Sequence, residues 1–321
     1  MKMFPFALAA TLAFACCAAE RPVSLKKALI APRLDAKTLA RLKDNGYDGV
    51  ELTDRTATIE EARAARVLAE ANSIRIHSFM GGWFKFNSPE DYASEIALAT
   101  HCIRLAAAYG ADVMLIVPYR VIDSGVKGPS PADYKPEFDP VTLKMERCVA
   151  GDNAPYAFYI AEQNKATEAA KKAIAELLPV AAECGVALAL ENVGGHWLWA
   201  TPAYSRALVK HFASPYVKFY LDLGNHVLFC PPEEWFAAMP EEIVRLHVKD
   251  HIALPGGAKK EAPLGLGSID WLSIRRAISR YGFNGWVSIE THKRSDAEHA
   301  AFMDDFFKGN VPFKGYQFGR R

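Results

Sequence analysis

The chain has 321 residues, half of them hydrophobic and 23% charged, with 21 glycines and 19 prolines. That is a globular composition, too long for one small domain and suited to a single α/β barrel of roughly 250 residues plus extras. Lysine plus arginine (38) against aspartate plus glutamate (37) gives +1 with no basic stripe, so the electrostatic footprint of a nucleic-acid binder is missing and no nucleic-acid partner is expected.

Residues 1–19, MKMFPFALAATLAFACCAA, set one lysine before a short apolar run and a tail of small residues. This is the layout of a secretory signal peptide, too short to span a bilayer. The mature chain is then 20–321, exported and soluble, in the periplasm if the source is Gram-negative. No membrane partner is expected unless Cys16 or Cys17 is lipidated, which would anchor the chain as a lipoprotein. Four cysteines remain, Cys102, Cys148, Cys184 and Cys230, at spacings of 46, 36 and 46 residues that fit no CxxC metal pattern. Disulfides and buried free thiols both stay open.

From residue 25 onward short apolar runs alternate with longer helical patterns. The predicted strands are Leu25–Ala31, Gly49–Leu52, Arg75–Phe79, Val113–Pro118, Val186–Glu191, Val217–Asp222, Val244–Val248 and Trp286–Glu290. Between and after them fall helices over Asp35–Asn45, Ile59–Ala71, Pro89–Tyr109, Ala166–Glu183, Pro202–Phe212, Pro232–Ala238, Ile269–Tyr281 and Asp296–Phe307. Gly46, Gly110, Gly185 and Gly282 stand where left-handed caps would close four of these helices. Strict alternation implies a parallel sheet, and eight strands with no linker close most economically into one (β/α)₈ TIM barrel domain, which has no edges to protect. Residues 120–163, after the fourth strand, read as an irregular insertion too long for a plain barrel loop. A lid or substrate-contacting role is expected for it, with an interface loop as the alternative.

In such a barrel the chemistry sits at the carboxyl ends of the strands. Strand five ends in LALENVGG (Glu191, Asn192), strand six in FYLDLGNH (Asp222, Asn225, His226), strand seven in RLHVKDH (His247, Lys249, Asp250) and strand eight in VSIETH (Glu290, Thr291, His292). Each acid alone could cap a helix, and Asp250 could be such a structural partner. Four successive strands delivering Glu191, Asp222, His247 and Glu290 to one rim is another matter. Three converging carboxylates repel unless a cation sits among them, so one divalent metal is expected: Mn²⁺, Mg²⁺ or Co²⁺, with Zn²⁺ also accommodated. A metal chelating a carbonyl and a neighbouring hydroxyl acidifies the adjacent carbon and stabilises the enediolate, while one Glu removes a proton and another returns it. Candidate substrate contacts are Glu51, His77, Trp83, Arg120, His196, Trp197, His226 and Lys249. Each has a structural alternative, such as a loop cap for Glu51 or a salt bridge for Lys249. No P-loop or dinucleotide fingerprint is present, so NAD, ATP and flavin are not expected.

ENVGG, DLGN, HVKD, PLGLGSIDW and SIET, with GYDGVEL (46–52) and IHSFMGGW (76–83), together resemble the sugar phosphate isomerase/epimerase family, with its xylose-isomerase-like TIM barrel and its ketose 3-epimerases. The resemblance covers most of the mature chain. It implies a metal held by Glu191, Asp222, His247 and Glu290, with Glu191 and Glu290 as the acid/base pair on opposite faces of the substrate. The chain departs from the ketose epimerases at Asn225, where a His is common, and after His247, where Lys249 and His251 stand in place of an Arg. The expected function is therefore a metal-dependent isomerase or epimerase of an unphosphorylated sugar or keto-sugar, working by proton abstraction next to a carbonyl. Alternatives are a lyase or dehydratase of a 3-keto-glycoside or inosose using the same site, and a non-catalytic sugar-binding protein. A small-molecule sugar is the expected partner, and homo-oligomerisation is left open.

Overall fold

The computed structural model describes residues 21–119, 121, 125–193, 201–255 and 258–311. The expected leader 1–19 with Cys16 and Cys17, and the candidates Arg120, His196 and Trp197, lie outside the described residues. In chain order the first part contains β1 (Leu25–Ala31), α1 (Ala36–Asp44), β2 (Gly49–Leu52), α2 (Ile59–Ala71), β3 (Arg75–Trp83), α3 (Tyr92–Tyr109) and β4 (Val113–Val117). Next come β5 (Tyr134–Phe138), β6 (Met145–Val149), α4 (Ala157–Cys184), β7 (Ala187–Glu191), α5 (Pro202–His211), β8 (Val217–Asp222) and α6 (Pro232–Ala238). The last part contains β9 (Ile243–Val248), β10 (Asp250–Leu254), β11 (Ala258–Ala262), α7 (Trp271–Tyr281), β12 (Gly285–Ile289) and α8 (Asp296–Lys308).

Eight of these strands pair in parallel in the order β1-β12-β9-β8-β7-β4-β3-β2 and close on themselves, with the helices outside: a TIM barrel, as expected. Local sequence sets the boundaries. Thr58 and Glu61 form a reciprocal capping box that starts α2, as Ser295 and Glu298 do for α8. Gly110, Gly185 and Gly282 follow α3, α4 and α7 at positive φ. The core is the barrel-to-helix layer: all five residues of β4 are buried, and Trp235, Phe219 and Phe236 fill the space under α6.

Three stretches differ from the sequence reading. β3 runs on to Trp83 instead of stopping at Phe79, because its register slips against β2 and again against β4, and each slip adds a residue and re-aims the strand. The stretch 120–163 is not irregular: it holds the antiparallel pair β5–β6 and the first turns of α4, which begins at Ala157. That hairpin is fastened down by Asn164, which exchanges two hydrogen bonds with the Met145 backbone (2.6 and 3.0 Å), and by Phe138, stacked 3.7 Å from the Tyr204 ring. Finally, HVKDHIALPGG does not end in a plain loop, since Asp250–Leu254 pairs with Ala258–Ala262 as a second hairpin. The four cysteines Cys102, Cys148, Cys184 and Cys230 are all free. Among the described residues no helix is long and apolar enough to cross a membrane.

Candidate metal centre

Glu191 is the last residue of β7, Asp222 the last of β8, His247 the penultimate of β9, and Glu290 follows β12 directly. These strands are consecutive neighbours in the barrel, so four local strand ends become one wall. One ligand atom from each residue lies within 4.8 Å of every other. Glu191, Asp222 and His247 are buried, whereas the Glu290 side chain is 34% exposed and faces the open side.

The donor set is aimed by its neighbours. Asn192 accepts from the Asp222 backbone N–H (2.7 Å) and donates to the Asp222 carbonyl (2.8 Å), tying two adjacent strand ends together. Asp222 Oδ1 accepts from the N–H groups of Gly224 (2.8 Å) and Asn225 (2.6 Å). Its Oδ2, buried and without a hydrogen bond, is turned to Lys249 Nζ at 3.1 Å. His247 Nδ1 lies 3.1 Å from Glu191 Oε1 and 3.5 Å from Glu290 Oε2. A buried oxygen lacking a hydrogen bond, two more carboxylates and an imidazole nitrogen converging on one point fit a hard-to-borderline divalent cation with oxygen and nitrogen ligands.

Burial, with the nearby charges of Glu290 and Glu191, pushes the Asp222 carboxyl up to about 7 against the pull of Lys249. Burial also raises Glu191, opposed by the hydrogen bond with His247. Partial burial would raise Glu290, yet it lies well below the usual carboxylate range because His247 and Lys249 outweigh that penalty. Burial alone would depress His247, but Tyr220, Glu51 and the site carboxylates hold it well above the ordinary imidazole range. Such mutual perturbation of clustered groups is a pattern that functional sites share, and it agrees with the geometry of the donor set.

The other candidates scatter. Lys249, on the same face of its strand as His247, joins the cluster, 2.6 Å from Glu290 Oε2. Glu51 is not at the rim: it is wholly buried inside the barrel, under His247, with its Oε2 at 2.9 Å from Nε2. His77 lies deeper still, bonded to Ser288 Oγ (3.0 Å) and stacked 4.6 Å from the Trp286 ring. Trp83 ends β3 with its carbonyl accepting from Arg55 (3.1 Å). His226 is buried against Phe229 and Trp235, bonded through Nε2 to the Val193 carbonyl at 2.9 Å. The β10–β11 hairpin brings up Lys259, whose Nζ donates to the carbonyls of Gly224 and Asn225 (both 2.9 Å) and clamps the turn after Asp222. Asp250 is the structural partner: its carboxylate accepts from the backbone of Gly265, Gly267 and His251 and from the Trp271 indole, so GLGSIDW wraps around it.

Two members of the site's surroundings carried a usable signal. Tyr220 and Ser288 stand two residues before Asp222 and Glu290, and a strand's period of two puts them on the same inward face. Lys259 had none, because the hairpin carrying it was not recognised.

A family profile described as xylose isomerase-like TIM barrel matches residues 39–306. The sequence matches no curated protein. Among solved structures the chain is similar to D-psicose 3-epimerase with D-tagatose from Clostridium cellulolyticum H10, at 15% identity and a TM-score of 0.65 over 89% of this chain and 100% of that one. It is likewise similar to the IOLI protein with a binding zinc atom (16% identity, TM-score 0.65, 90% and 99% covered). A third likeness is to 3-keto-D-glucoside 4-epimerase from E. coli in its apo form (11% identity, TM-score 0.63, 89% and 100% covered).

Proposed function

The chain belongs to the xylose isomerase-like TIM barrel family, and from that premise we propose that it is a divalent-metal-dependent isomerase or epimerase of an unphosphorylated sugar or keto-sugar. One observation carries the reading: Glu191, Asp222, His247 and Glu290 offer ligand atoms within 4.8 Å of one another at the active face of the barrel. A bound divalent ion would supply Lewis-acid polarisation of a carbonyl and charge stabilisation as the neighbouring carbon loses its proton. The chain's own residues do the rest. Glu191 and Glu290 belong to β7 and the end of β12, with β8 and β9 between them, so their carboxylates flank the site. One accepts the proton from the substrate carbon and the other returns it. Lys249, held between Asp222 and Glu290, donates to a substrate oxygen.

Similarity to epimerases of D-psicose and of a 3-keto-glucoside supports the carbohydrate class, and the zinc-carrying relative supports a metal. The amino-terminal segment supports export, and hence a substrate without phosphate, since phosphorylated sugars are kept in the cytosol. The mass of the mature amino terminus tests export.

The function is tested first by metal content per chain. About one equivalent in the wild type, lost in Asp222→Ala, is expected, and no metal after incubation with Mn²⁺ or Co²⁺ overturns the reading. Ketoses and keto-glycosides incubated with the loaded enzyme in D₂O should gain deuterium at the reacting carbon. Glu290→Gln should keep metal and lose turnover, and full turnover in that variant removes the two-glutamate mechanism.

A further inference from the structure

Glu51 stands near a strand end in the sequence, and the structure places it inside the barrel with no exposed surface. Its surroundings are three donors. Tyr220 donates its hydroxyl to Glu51 Oε2 at 2.7 Å, Ser78 donates to Oε1 at 3.4 Å, and His247 Nε2 meets Oε2 at 2.9 Å. The chain of contacts continues downward, from Tyr220 to Ser288 Oγ (3.3 Å) and from there to His77 Nε2 (3.0 Å), whose ring lies flat on Trp286. A buried carboxylate held this way is a poor choice for stability alone, since an apolar side chain of similar volume would avoid the desolvation penalty. It therefore calls for a role.

The imidazole supplies it. The two nitrogens of His247 face opposite ways: Nδ1 toward Glu191 and Glu290, Nε2 toward Glu51. A carboxylate at Nε2 accepts a hydrogen bond from that nitrogen and so keeps Nδ1 turned toward the cluster. We propose that Glu51 is a positioning residue that fixes the orientation of the His247 ring, with Tyr220 holding Glu51 in turn. The inference rests on the metal reading above. It reassigns Glu51 from substrate contact to the support of a ligand, and it makes the polar column inside the barrel part of the site.

The test uses Glu51→Gln and Tyr220→Phe, neither of which removes a proposed metal ligand. In Glu51→Gln the amide oxygen still accepts from Nε2–H, but without the carboxylate's charge the bond is weaker. ¹H–¹⁵N NMR of His247 in the metal-free protein should therefore show the Nε2–H proton moved upfield and the ring nitrogen shifts altered. Affinity for Co²⁺, followed by its visible absorption, should fall about 10- to 100-fold, while cooperative unfolding is retained. Tyr220→Phe should weaken Co²⁺ binding several-fold. Wild-type affinity, cobalt spectrum and nitrogen shifts in Glu51→Gln overturn the proposal. If that variant does not fold, unchanged Co²⁺ affinity in Tyr220→Phe overturns it equally. If the wild type itself takes up no metal, the metal reading fails, and the nitrogen shifts alone still decide the role of Glu51.

Discussion

Lys249 Nζ lies 2.6 Å from Glu290 Oε2. The same ammonium reaches Asp222 Oδ2 at 3.1 Å, so in the metal-free chain one lysine offsets the repulsion among three clustered carboxylates. Lys249→Met should therefore lower the stability of the metal-free protein by about 3 kcal/mol, the lower end of the cost of breaking a buried pair, because Glu290 is partly exposed. Added Mn²⁺ should raise the melting temperature of the variant more than that of the wild type, since the ion replaces the missing charge. Thermal melts with and without Mn²⁺ check both, and an unchanged metal-free melting temperature rejects the charge-balancing role.

The GLGSIDW segment and HVKD are one structural unit. Asp250 gathers N–H donors from His251, Gly265, Gly267 and Trp271, and a Cβ on Gly267 would fall 2.0 Å from Asp250 Oδ1. Asp250→Ala should cost at least about 3 kcal/mol in urea unfolding, because several buried donors lose their acceptor together. Gly267→Ala should cost a comparable amount by displacing the carboxylate. A loss below about 1 kcal/mol in either variant would be the size of an ordinary surface change and would contradict this account.

Acid should destabilise the fold through two buried imidazoles. Burial, against a hydrogen bond to Val193, lowers His226 to about 3, and burial with the charges of Lys259 and Lys249 lowers His251 to about 4. The unfolded chain binds protons below its ordinary histidine value of 6.5 that the folded chain refuses. Stability is therefore greatest above that value and is lost as pH falls from about 6.5 toward 4. His226→Gln keeps a donor for the Val193 carbonyl and removes the titration. Urea midpoints measured from pH 7 to pH 5 should show the variant's slope reduced by up to one proton, and an identical slope would rule His226 out as a source.

Phe138 is one of the residues that hold the β5–β6 hairpin to the barrel, its ring stacked 3.7 Å from Tyr204. Phe138→Ala should loosen the hairpin at a cost of about 2 kcal/mol, from lost aromatic burial and stacking. Limited proteolysis should then cut within residues 139–144 much faster than in the wild type. If the hairpin shapes the substrate site, kcat/KM falls in step, and if it is only decoration, cleavage rises with turnover unchanged.

The barrel was legible because its signals are local. Period-two apolar runs, glycines after helices and capping boxes act within a few residues, and β1, β2, β8 and α2 begin and end where those signals place them. The four ligand candidates were legible for the same reason, since each is a polar residue closing an apolar strand. What depends on residues far apart in sequence was decided only by the tertiary structure. Bulges in β3 answer the registers of β2 and β4, and the β5–β6 hairpin needs Tyr204 and Asn164 to pack on. Asp250 reads as one more strand-end acid until the loop that surrounds it is in place. Glu51 stands at the end of a strand in sequence, but closure of the barrel puts its carboxylate under His247, between Tyr220 and Ser78. Strand ends and their residue types are one-dimensional facts, whereas height inside a closed barrel depends on the stagger of all eight strands at once.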